Sequence, residues 1–162
     1  MAKKIKSKTE FGFSILEVII AIFIISMGLI GVLSLVVQNV QVQYINKNNL
    51  IASQLAQEGI ELVRNIRDNN WLDGENWKQG IVGDGSYAID YTGAIINVDS
   101  AVVLKIDSSG YYWHGGGADT NFSRLIEAVE NEDGVDIKST VVWEERGNSH
   151  NYIAETLLYD WK

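Results

Sequence analysis

Between Phe13 and Val37 a single side chain is ionisable, Glu17, four residues after Phe13 in FSILEVIIAIFIISMGLIGVLSLVV. An ionised group at the centre of a bilayer costs roughly 2.5–3.5 kcal/mol on insertion scales, and less near an interface. Such a residue needs a partner. A cut between Gly12 and Phe13 would create an α-amine one helical turn from the carboxylate. The unpaired N–H groups and the dipole at a helix N-terminus would favour the same charge. The other chemistry-bearing types are sparse. Cysteine is absent and histidine occurs only at 114 and 150, so zinc would need both histidines plus carboxylates, and the spacing suggests no such set. The run Asn131–Asp136 (NEDGVD) offers oxygens for calcium but lacks EF-hand spacing, and reads as a hairpin turn. No nucleophile elbow, P-loop or dinucleotide fingerprint is present. Glu58, Glu61, Arg64, Arg67 and Asp68 fall at helical spacings and read as a solvated face of paired charges. The sequence therefore predicts no catalytic residue, no cofactor and no metal site, and a protein that is not an enzyme.

The element that must position Glu17 is the apolar run itself. Val18 to Val37 is charge-free for twenty residues, enough at ~1.5 Å per residue for the ~30 Å hydrocarbon core of a bilayer. It has no polar face, unlike a helix on a soluble domain. Lys3, Lys4, Lys6 and Lys8 precede it with Glu10 alone opposing them, so the N-terminus is expected on the cytoplasmic side and the remainder exported. Gln38-Asn39-Val40-Gln41 after the run gives no small-residue cleavage pattern, so the anchor is expected to be retained. Of the formal charge of −8, the residues after 12 carry −11, from nine basic and twenty acidic side chains. That balance argues against nucleic-acid binding through a basic surface.

The stretch Lys8-Thr9-Glu10-Phe11-Gly12 followed by Phe13-Ser14-Ile15-Leu16-Glu17-Val18 resembles the class III signal of type IV prepilins and type II secretion pseudopilins. The resemblance implies cleavage after Gly12 by a prepilin peptidase, methylation of the new N-terminal Phe13, and pairing of Glu17 with the N-terminal amine of a neighbouring subunit during filament assembly. Ser26-Met27-Gly28-Leu29-Ile30-Gly31 is similar to a Ser-x-Gly-Leu-x-Gly stretch of the minor pilins called type IV pilus modification proteins. Implied partners are membrane lipid, the prepilin peptidase, other pilin or pseudopilin subunits and an inner-membrane assembly platform. The implied location is the bacterial inner membrane, then a pilus or pseudopilus. The chain departs from conventional major pilins in having serine at position 34, where many carry a helix-breaking proline, and no Cys-bounded loop.

Beyond the run, Val40, Tyr44, Ile51, Leu55, Leu62 and Ile66 recur at spacings of four and seven. This predicts an amphipathic continuation, giving one helix from Phe13 to about Asn70, roughly 85 Å long. Asn69-Asn70 and Asp73-Gly74 signal its end. Strands are expected at Tyr87–Tyr91, Val102–Asp107, Phe122–Glu130, Ile137–Glu145 and Tyr152–Asp160, with Ile137, Val141 and Trp143 on a covered face. Turns are expected at Gly83-Asp84-Gly85, Ser108-Ser109-Gly110, Glu132-Asp133-Gly134 and Arg146-Gly147-Asn148. The predicted fold is α+β: a leader (1–12), a membrane-spanning helix half (13–37), an amphipathic half (38–70) and an antiparallel β-sheet head (71–162). Among the tryptophans, Trp143 is expected in the core, Trp71 and Trp77 at the helix–sheet junction, and Trp113 in the Gly110–Gly117 loop is the best candidate for an exposed contact, with packing or a subunit interface favoured there over ligand binding.

Overall fold

A computed structural model describes residues 12–81 and 85–160; the predicted leader residues 1–11, with their four lysines, and the turn at Gly83-Asp84 lie outside the described residues. The architecture is α+β as expected, with a long N-terminal helix packed against a C-terminal antiparallel sheet. Helix α1 spans Ile15–Asp73, 59 residues without a break, as a stretch free of proline permits. It belongs to two compact units. The first, ending at Tyr44, holds helix alone among its described residues; the second, from Ile45, holds the rest of α1 and the strands.

Within the second unit α1 buries Ala52, Leu55, Ala56, Gly59, Ile60 and Val63. This face is displaced by part of a turn from the expected stripe: Leu55 is buried, Ile51, Leu62 and Ile66 are only half-buried, and Val40 and Tyr44 are exposed. Large apolar residues were the guide to the stripe, but the closest approach is made by small ones. A Cβ at Gly59 would lie 2.5 Å from Ser139 Oγ and 2.8 Å from Ile126 Cδ1, so glycine is what lets the helix backbone reach the sheet here. The helix runs three residues past the expected Asn70 and stops at Asp73. Gly74 adopts φ 74°, its N–H donates to Trp71 O at 3.3 Å, and Glu75 N–H donates to Asn70 O at 2.9 Å, a Schellman termination. The Asn70 side chain instead binds the following loop, donating to the carbonyls of Trp77 and Gln79.

The sheet is built from β1 (Gly85–Ile89), β2 (Ile95–Asn97), β3 (Val102–Ile106), β4 (Tyr112–Trp113), β5 (Ala118–Glu130), β6 (Val135–Glu145) and β7 (Asn148–Leu158). β5, β6 and β7 form an antiparallel meander. On its other side β5 serves two partners, β3 along its first half and β1 along its last residues, each extended outward by β4 or β2. All five expected strands exist. β5 begins four residues early because Asp119 pairs across to Lys105, where an ion pair of 3.3 Å joins them. β7 begins at Asn148 because Arg146 (φ 52°) and Gly147 (φ 79°) form a two-residue primed turn that closes the ladder at Glu145–Asn148. The short β2 and β4 were not anticipated.

Two apolar clusters join helix to sheet. One gathers Ile60, Val63, Ile81, Tyr87, Ile89, Ile126, Val135, Ile137 and Leu158, with Trp77 packed against it. The other gathers Ala52, Leu55, Ala56, Leu104, Phe122, Val141 and Trp143. Each large aliphatic or aromatic side chain buried this way contributes about 1.5–3 kcal/mol relative to exposure. Trp143 is core and Trp71 is buried near the helix end, as expected.

Candidate functional site

Glu17 is the third residue of α1 and the acidic group of its first turn. Ser14, just before the helix, accepts from Glu17 N–H at 3.0 Å and Val18 N–H at 3.2 Å through its backbone carbonyl. Ser14-Ile15-Leu16-Glu17 thus has the order of a capping box, serine at the cap and glutamate at the third helical position. That local signal went unread in the sequence. Neither side-chain bond of a capping box forms among the described residues: the Ser14 backbone carbonyl, not its hydroxyl, receives the Glu17 N–H. Glu17 is exposed, and among the described residues its carboxylate has neither a hydrogen-bond nor an ion-pair partner. Phe13 is 82% exposed and Gly12 is exposed beside it. The three residues singled out therefore sit together at the start of α1, uncovered by any other described residue.

From Val18 to Val37 every residue is exposed, and the helix contains an 18-residue window of mean hydropathy 2.8 with none of it buried. By length and composition it can cross a membrane. Ser26 fits that solvent, since its hydroxyl donates to Ile22 O at 2.7 Å, one turn back, and leaves no donor unpaired. Among the described residues, apart from the neighbouring helix backbone, nothing lies within 4 Å of where a Cβ would stand at Gly28 or Gly31, so their surface is open to lipid or to another chain.

The charged group on the second half of α1 is a tie to the sheet as well as a solvated face. Glu61 and Arg64 pair at 2.6 Å, and Arg64 also donates to Thr156 on β7 at 3.1 Å. Arg67 pairs with Asp68 and lies over the Trp71 ring, 4.7 Å from its centroid. Glu58 turns inward, to Arg124 of β5 at 3.6 Å. Arg124 is fully buried between the two apolar clusters and donates to Leu55 O at 2.9 Å and Ile89 O at 2.5 Å. Burial lowers its pKa and the Glu58 carboxylate acts in the opposite direction; a guanidinium stays charged through such shifts. Sequence pattern missed this residue because it stands among apolar neighbours at an inward position of a strand.

The two histidines lie apart. His150 is on β7, stacked on Trp143 with centroids 5.5 Å apart, whereas His114 follows β4 at the opposite side of the sheet. Burial, reinforced by the Arg124 charge, pushes the His114 imidazole below its ordinary value. Its backbone N–H donates to Asp90 at 2.9 Å, and Asp90 also accepts from the Thr92 N–H and hydroxyl. Burial alone would raise the Asp90 carboxyl, but these bonds outweigh it and the pKa is lowered. Asn131-Glu132-Asp133-Gly134 is the expected hairpin turn; the Asn131 carbonyl oxygen accepts from Asp133 and Gly134 N–H, and its amide reaches Asp136. Trp113 packs rather than standing free. It is half-buried, its ring folded onto Gly115, where a Cβ would come within 2.3 Å of two ring carbons.

No known family, curated protein or solved structure matches this chain.

Proposed function

We propose that the chain is a minor pilin-like subunit that works by assembly rather than by chemistry. The observation that carries this reading is Glu17, a carboxylate with no partner among the described residues, in the first turn of a long apolar helix that begins just after Gly12-Phe13. Cleavage between Gly12 and Phe13 by a prepilin peptidase would supply the missing cation, and methylation would leave Phe13 as a secondary amine. In hydrocarbon the carboxylate of one copy and the amine of the next then neutralise each other, so the pair favours assembly over dispersal in lipid. The helix on an antiparallel sheet supports the reading as a scaffold for display. The reading places the subunit in the bacterial inner membrane, N-terminus inside, before its transfer by an assembly platform into a pilus or pseudopilus.

The test is mass spectrometry of the protein from membranes of its native host. N-methylated Phe13 is expected at the mature terminus; intact Met1 as the main product would sink the proposal. A competing reading is a membrane-tethered binding domain that never polymerises. Glu17→Ala separates the two: loss of incorporation with normal membrane insertion supports the subunit, and an unchanged distribution supports the tether.

A further inference from the structure

We propose that Tyr91, Tyr111 and Trp113 form a stacking platform for an unbranched, uncharged β-linked glycan chain. Tyr91 follows β1, and Tyr111 and Trp113 flank the start of β4. Their rings meet in one strip with Tyr91 in the middle, its centroid 5.5 Å from Tyr111 and 6.2 Å from Trp113. Tyr111 is 61% exposed and Tyr91 46%. The strip is fixed by hydrogen bonds before any ligand arrives. Asp107 accepts from Ser109 N–H at 2.8 Å, Tyr111 N–H at 3.0 Å and the Tyr91 hydroxyl at 3.0 Å. Asp90 ties the loop after β1 to the residue following Trp113, through His114 N–H. Gly115 admits the Trp113 ring. A surface ordered in advance loses little entropy when it binds.

Four ligand classes stack on exposed aromatic rings, and local chemistry separates them. Single-stranded nucleic acid needs a basic groove beside the rings, whereas Asp90 and Asp107 border this strip on a chain of net charge −8. Organic cations are held by rings that wall a space; these rings pack on one another and leave no space between them. Proline-rich peptides dock in aromatic-lined grooves, whereas these three rings lie against one another with no groove between them. A sugar ring offers an apolar C–H face to stack and hydroxyls that both donate and accept. Asp107 keeps acceptor capacity beyond its three bonds, since a carboxylate has about four lone-pair sites. Three rings in contact along a strip suit successive residues of an extended chain better than one isolated sugar.

The experiment uses the full chain in detergent micelles, titrated with cellohexaose and chitohexaose and followed by calorimetry and tryptophan fluorescence. Saturable binding of at least one is expected, with Kd of order 0.1–1 mM. Tyr111→Ala should weaken it roughly tenfold, the scale of one lost aromatic partner, without moving the thermal midpoint. Tyr111→Leu, which keeps bulk but not the ring, should behave alike, and Gly115→Ala should weaken binding by displacing Trp113. The proposal is overturned by no saturable response to either sugar, by binding indifferent to these variants, by equal affinity for the α-linked maltohexaose, or by tighter binding of oligothymidylate.

Discussion

Residues 15–44 and 45–73 belong to one continuous helix, yet they solve opposite problems. Among the described residues the first stretch buries no side chain, while the second buries a face of small and branched residues against the sheet. Backbone hydrogen bonding is the same in both; what differs is the solvent each was written for. The first carries one charge in an apolar run and keeps the Ser26 hydroxyl bonded to its own backbone. The second carries many charges, several of which reach the sheet: Glu58 to Arg124 and Arg64 to Thr156. Helical periodicity is thus a statement about local conformation, and the distribution of charge states where the helix can live.

The largest expected effect tests how strongly the second stretch depends on the sheet. Arg124→Ala leaves Glu58 without its buried partner and the Ile89 carbonyl without its donor, and should cost about 3–5 kcal/mol of sheet-unit stability. Chemical denaturation of the full chain in micelles, read by tryptophan fluorescence, measures it. Glu17→Leu probes the other stretch: membrane insertion should improve by up to ~3 kcal/mol in an insertion assay, with the denaturation curve of the sheet unit unmoved. A shifted curve would break the comparison. Gly59→Val forces a side chain into the space held by Ser139 and Ile126, and a loss of about 1–3 kcal/mol is expected from overpacking. The smallest effect is a pH dependence. His114 has its pKa lowered in the fold from 6.5, so its contribution is complete above that value and falls away as pH drops toward the folded pKa, where the unfolded chain binds more protons. Denaturation midpoints should decline below pH 6.5 in the wild type and decline less in His114→Asn.

The helix, the five longer strands and the inward face of β6 could be read from sequence because each repeats one period over enough residues. β2 and β4 could not, since two or three residues carry no periodicity. The stripe on α1 was misplaced for a related reason: size marks what can be buried, but Ala52, Ala56 and Gly59 mark where backbones come close. At the helix start, Gly12, Phe13 and Glu17 stood out by type and spacing, while the Ser14 cap was hidden by the interest of its neighbour. Arg124 and the Tyr91–Tyr111–Trp113 strip depend on contacts across the sheet, which no local window contains.

Leu158 is buried in the same cluster as Ile60 and Val63, at the far end of the final strand. Order of synthesis gives that packing a further meaning. When the second stretch of α1 has been made, roughly ninety residues separate Val63 from the strand that closes its core. Until β5 and β6 have been made, the face of Ala52, Leu55, Ile60 and Val63 lacks most of its partners, and Leu158 of β7 then completes the cluster of Ile60 and Val63. A nascent chain therefore carries an uncovered apolar helix face until those strands have been made.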